Sequence, residues 1–115
     1  MTTTTDTEQM LRDQCASILE TIGTLNDYEA SQEFMEGVLD VTASGQGTVS
    51  EGWTVHTIDL LLTFGGPTIK AKIDPESYSV EVVGYWGGDT VRLYGEAGDA
   101  ITEWTREYVE LMEGV

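Results

Sequence analysis

The chain has 115 residues and a mass of 12.6 kDa, which is room for one small domain and argues against an enzyme built around a separate cofactor domain. Apolar residues make up 40%, with five Tyr, three Trp and two Phe, enough to bury a core and too many for a disordered chain. Twenty-one acidic residues face five basic ones, a net charge of −16 and a pI near 4.1, which argues against direct binding to DNA, RNA or an anionic membrane, since each needs cations to replace released counterions.

In chain order, a Thr-rich tail over residues 1–5 is expected to be disordered, with residues 6–115 forming a single domain. The tail lacks the basic start and apolar stretch of a secretory signal, and no run approaches the ~18 apolar residues of a membrane span, so a cytoplasmic location is expected. Thr5 with Glu8, or Asp6 with Gln9, has the spacing of a capping box, and a helix is predicted from there. Leu11, Cys15, Ile18, Ile22 and Leu25, with Leu19 beside them, give it one apolar face. A second helix is predicted from about Asp27 to Val41, capped by Asn26, burying Phe34, Met35, Val38 and Leu39. Residues Thr42 to Gly52 show no period and read as an exposed loop.

Strand-like composition follows. His56, Ile58, Leu60, Leu62 and Phe64 are expected on the buried side of a strand from Trp53 to Phe64, and Gly65-Gly66-Pro67 turns the chain into a second strand, Thr68 to Ile73. Asp74 to Ser77 makes the next turn, and Tyr78 to Trp86 and Thr90 to Tyr94 form a further pair around Gly87-Gly88-Asp89. After Gly95 the period returns to helical, with Ala97, Ile101, Trp104, Tyr108 and Leu111 on one face. The expected fold is therefore α+β: two N-terminal helices, a four-stranded antiparallel meander and a C-terminal helix (ααββββα), with the helices on one face of the sheet.

The acidic excess follows the helices. Residues 1–40 hold nine acids and one base, residues 41–74 three and two, and residues 75–115 nine and two. Glu29, Glu33, Glu36 and Asp40 fall at steps of four, three and four, while Asp99, Glu103, Glu107 and Glu110 fall at four, four and three, so each set forms a row along a helix. Like charges at these spacings destabilise a helix by roughly 0.2–0.5 kcal/mol per pair, and alternating Lys would have reversed the sign. Such rows approximate the charge spacing of a nucleic-acid strand, which makes these eight carboxylates the candidate partner-binding residues, acting as phosphate surrogates toward a basic nucleic-acid-binding protein. The alternative is acidity for solubility or a saline host, with binding on the sheet's open face. There Leu61, Val83, Tyr85 and Tyr94 are expected beside Lys70, Lys72 and Arg92, a surface suited to pairing two copies or gripping a partner.

No catalytic, cofactor or metal residue is assigned. The only His, His56, is expected in the core, and Cys15 lies on an apolar stripe as a small hydrophobe. The lone Cys15 allows no internal disulfide and suits a reducing compartment. Gly65-Gly66-Pro67 lacks the Lys and Ser or Thr of a phosphate loop, and Gly84, Gly87 and Gly88 lack the dinucleotide-binding order. Asp89, Glu96 and Asp99 match no calcium-binding loop.

The segments Leu60-Leu61-Leu62-Thr63-Phe64-Gly65-Gly66-Pro67 and Val82-Val83-Gly84-Tyr85-Trp86-Gly87-Gly88-Asp89 resemble a pattern found among small acidic phage and prophage proteins. That class includes anti-restriction and anti-CRISPR proteins, some of which imitate DNA and block the basic groove of a host nuclease complex. The resemblance implies a non-enzymatic inhibitor of a defence effector, such as a CRISPR-Cas complex or a restriction enzyme, acting in the host cytoplasm. No functional residue carries over from it position by position.

Overall fold

In the computed structural model, which describes residues 6–50 and 52–113 and every side chain among them except those of Asp6 and Trp53, the first apolar stripe is a helix, α1 (Asp6–Gly23), that buries Leu11, Cys15 and Ile22. The Thr-rich tail lies outside the described residues. A shorter helix follows, α2 (Tyr28–Glu36), then five strands, β1 (Asp40–Thr48), β2 (Gly52–Thr63), β3 (Thr68–Ile73), β4 (Ser79–Trp86) and β5 (Asp89–Glu96), and a last helix, α3 (Asp99–Glu113). The strands pair in chain order as one antiparallel sheet, β1-β2-β3-β4-β5. The fold is α+β, and the order is ααβββββα rather than ααββββα.

The additional strand is β1, where a helix end and a loop were expected. Helix α2 stops at Glu36 because the Gly37 and Val38 amides turn back to the carbonyls of Phe34 and Met35. The Leu39 amide then donates to the Leu61 carbonyl (2.8 Å), which commits the chain to the sheet, and Leu39 itself is 60% exposed rather than buried. Along β1 the half-buried positions are Val41, Ala43 and Gly45, alternating with exposed Thr42, Ser44 and Gln46. The alternation is real but its apolar members are small, so the hydrophobic contrast that announces a strand is weak. At Gly45 a Cβ would fall 2.0 Å from the Thr54 carbonyl oxygen, so only glycine lets the two backbones approach there.

Strand β2 carries two irregularities that decide which side chains face in. Ser44 pairs with Thr57 but Gly45 pairs with Val55, leaving His56 as the extra residue of a bulge. Val55 is consequently buried and His56 exposed, the reverse of the simple alternation. A second shift lies at Leu62, between the Leu61–Lys70 and Thr63–Ile69 pairs. Beyond it Phe64 is 77% exposed, also against expectation.

One face of the sheet is covered. Ile58, Leu60, Ile69, Ala71, Ile73, Val80, Val82 and Val91 join Leu11, Cys15, Ile22 and Ile101 in a single core. Helix α1 lies on β4 and β5, α3 lies on β2, and α2 packs chiefly against α3. Gly84 and Gly95 are the seats of α1: a Cβ at Gly84 would meet Cys15 Sγ at 2.6 Å and Leu11 Cδ1 at 2.7 Å, and one at Gly95 would meet Leu19 Cδ1 at 2.9 Å. Each fully buried Leu or Ile contributes about 1.5–3 kcal/mol, which outweighs the few tenths per pair of like-charge repulsion on the outer helix faces.

Candidate partner-binding surface

Helix α2 starts at Asp27, whose extended backbone and side-chain acceptor for the Ala30 amide (2.7 Å) make it the N-cap. Asn26, the residue expected in that role, instead accepts from the Asp99 amide (3.0 Å) at the start of α3. In α2 Ser31 is buried, and Ala30, Phe34 and Met35 are half-buried. At about 100° per residue Glu29, Glu33 and Glu36 fall on the opposite side, and all three are exposed. Asp40 does not belong to this row. As the first residue of β1 it pairs with Leu61, on the sheet rather than on the helix.

Helix α3 keeps its row intact. Asp99, Glu103, Glu107 and Glu110 are all exposed, while Ile101 and Thr105 are buried and Trp104 and Tyr108 are half-buried, their rings stacked at 5.3 Å. Leu111, expected in the buried stripe, is 65% exposed. Arg106 donates to Glu103 (3.0 Å) and to the Tyr78 hydroxyl (3.2 Å), its guanidinium over the Tyr78 ring. Glu113 has a structural duty, since its carboxylate accepts from the Val55 amide (2.8 Å) beside the β2 bulge. Of the eight carboxylates expected to bind a partner, Glu103 alone is ion-paired among the described residues.

The two helices meet along a groove of about 200 Å³. Tyr28, Ser31, Gln32 and Met35 form one wall, and Ala100, Glu103, Trp104 and Glu107 the other. The groove therefore carries half of the α3 acidic row at its edge. Ser31 lies in this wall with its hydroxyl sealed from solvent and without a hydrogen-bond partner among the described residues. Sequence reasoning missed this feature, although 28, 31/32, 35 and 100, 103/104, 107 each recur at helical spacing.

The opposite face of the sheet bears no helix among the described residues. Its register runs Asp40, Leu61, Lys70, Val83, Arg92 in one cross-strand row and Thr42, Asp59, Lys72, Glu81, Tyr94 in the next. Three of the five cations thus stand on this face, where Arg92 pairs with Glu81 at 3.1 Å. Of the four residues named for an interface here, Tyr94 is 69% and Tyr85 39% exposed, Leu61 is half-buried, and Val83 is fully buried between Lys70 and Arg92. Glu81, by hydrogen bonding and by its charge, raises the Tyr94 phenol above its ordinary pKa.

Cys15 is buried and its thiol is pushed up by desolvation, with Arg12 acting in the lowering direction. The exposed His56 and the buried Cys15 are on different elements, β2 and α1. Among the described residues no three His, Cys, Asp or Glu side chains gather as a metal site, and no helix is long and apolar enough to cross a membrane. No protein-family model matches the chain, and no curated protein or solved structure matches it.

Proposed function

We propose that this protein is a non-enzymatic inhibitor that uses the acidic faces of α2 and α3 to occupy the nucleic-acid-binding surface of a basic partner, a defence effector such as a CRISPR-Cas complex or a restriction nuclease. The observation that carries the reading is the segregation of charge. Helices α1, α2 and α3 hold twelve acidic residues and two basic ones, whereas the five strands hold five and three. A fold that needed acidity only for hydration would gain by interleaving its cations with these rows. Here Glu29, Glu33, Glu36, Asp99, Glu107 and Glu110 stand exposed and without ion-pair partners among the described residues. Asp40, on the sheet, drops out of this helical set.

Stoichiometric occlusion is the mechanism. Carboxylates about 5–6 Å apart at the β-carbons offer a basic groove the alternation it meets along a phosphate backbone. Exposed charges at the rim of such a contact act collectively and are individually weak. The test is inhibition of purified crRNA-guided and restriction nucleases by the wild-type chain and by a variant with Glu29, Glu33, Glu107 and Glu110 changed to Lys. Loss of inhibition and of complex formation is expected from the variant; undiminished inhibition overturns the proposal.

A second reading is favoured by the helix-free sheet face, where Tyr94 and Tyr85 are exposed beside Lys70, Lys72 and Arg92. In it the protein is an interaction module or homodimer joined through that face, with the acidic helices keeping it soluble. Abolition of partner binding or dimerisation by the Tyr85→Ala/Tyr94→Ala double variant, with no effect of the helix reversals, selects it.

A further inference from the structure

We infer that the groove between α2 and α3 receives one arginine side chain of the basic partner, an inference that rests on the reading of the acidic helices as a docking surface and names what they grip. Its volume, about 200 Å³, is below the roughly 300–1,000 Å³ of sites built for whole small molecules and fits a single long side chain. The walls combine an apolar part, Met35 and Ala100, with the Trp104 ring. At the edge stand the carboxylates of Glu103 and Glu107, one helical turn apart.

Two features select a guanidinium over other cations. A planar, weakly hydrated group stacks on an indole and sheds water against an apolar wall, which a compact, strongly hydrated ammonium does poorly. The fixed fork of a guanidinium can also donate to both oxygens of one carboxylate at once, which a point-like ammonium does not match. Ser31, in the same wall, is 5% exposed, so its backbone amide reports on the groove while its hydroxyl stays sealed behind the wall. Glu103 already holds one guanidinium, that of Arg106 at 3.0 Å, and Glu107, a turn further on, has no ion-pair partner among the described residues. The incoming arginine would take the Glu107 side of the groove.

The experiment is an NMR titration of the isotope-labelled full chain with N-acetyl-arginine amide, in parallel with N-acetyl-citrulline amide, which has the same shape without the charge, and N-acetyl-lysine amide. Saturable shifts at the Trp104 indole and the Ser31 amide are expected with arginine, at least tenfold weaker binding with lysine, and none with citrulline. Glu107→Gln should weaken arginine binding at least fivefold, and Ala100→Met, which fills the groove, should abolish saturation. Because Glu107 is exposed, its variant reads the contact even where Ala100→Met perturbs packing. Equal responses to arginine and citrulline, unsaturable shifts spread over Glu29, Glu33 and Glu110, or an unchanged affinity in Glu107→Gln would each overturn the inference. These outcomes leave the acidic-surface reading standing as long as the four-Lys variant still loses nuclease inhibition; if that variant inhibits normally, the broader reading has failed on its own assay.

Discussion

The Asn26 side chain accepts a hydrogen bond from the backbone amide of Asp99, 73 residues away, at 3.0 Å. Beside it the Ile22 carbonyl, in the last turn of α1, and the Leu25 carbonyl, in the connector, accept from the Gly98 and Ala100 amides, at 2.9 and 3.0 Å. Backbone groups at the start of α3 are therefore served by the end of α1 and the turn that follows it, and α3 is moored where its acidic row meets α2. Asn26→Ala should destabilise the fold by about 1 kcal/mol, the usual cost of losing a helix-capping acceptor. Asn26→Asp keeps an acceptor and should recover most of the loss. Urea unfolding of the two variants checks both.

Gly45 and Gly84 are predicted to tolerate alanine badly, for different reasons. At Gly84 the new methyl would run into the buried Cys15 and Leu11 side chains, and overpacking that contact between α1 and β4 should cost about 1–3 kcal/mol. At Gly45 it would strike the Thr54 backbone, so the β1–β2 hairpin must open locally. Hydrogen exchange should separate them: Gly45→Ala accelerates exchange only along the β1–β2 pairing, and Gly84→Ala lowers global stability.

Cys15 should resist alkylation in the native protein at pH 8 and react at once when unfolded, because burial removes access and desolvation raises its pKa. The sign of the linked pH effect follows. Above the unfolded thiol's pKa, ~8.5, the native state retains a proton that the unfolded state has lost, so stability should fall as pH rises beyond that value. In Cys15→Ala this component of the alkaline decline should be absent from the stability profile; its persistence at full size would count against the thiol as its source.

Charge reversal on α3 should trade recognition for stability. Glu107→Lys turns repulsion from Glu103 and Glu110 into attraction, each pair being worth roughly 0.2–0.5 kcal/mol. The variant should be more stable than the wild type at low salt, and the gain should shrink at ~1 M, where the screening length is ~3 Å. Thermal unfolding across a salt series measures it. A wild-type chain that is barely folded at 0.1 M and strongly stabilised by molar salt would instead identify adaptation to a saline host.

Where side-chain contrast is strong, the fold is legible in the residues. Leu11, Cys15 and Ile22 mark α1, and Ile69, Ala71 and Ile73 mark β3 between its lysines. Contrast fails over Val41, Ala43 and Gly45, inward positions that dwindle to a glycine, so the sequence pattern does not announce β1 and helical spacing alone extends the α2 row to Asp40, which stands on the sheet. His56 faces out because a bulge resets the period, and bulges arise from pairing with a neighbour that a single strand cannot reveal. Asn26 shows the same limit: its chemistry as a cap is evident from its type, but the helix it caps is set by tertiary packing. The α3 row was readable because it depends only on helical spacing, whereas the α2–α3 groove required knowing which two helices touch.

The separation of charge also gives the molecule a permanent electric dipole, negative at the helix layer and compensated toward neutrality across the sheet. In the field of a strongly positive surface such a body is turned before it touches, so encounters begin helix side first, and dissolved ions that screen the field would slow capture more than they hasten release.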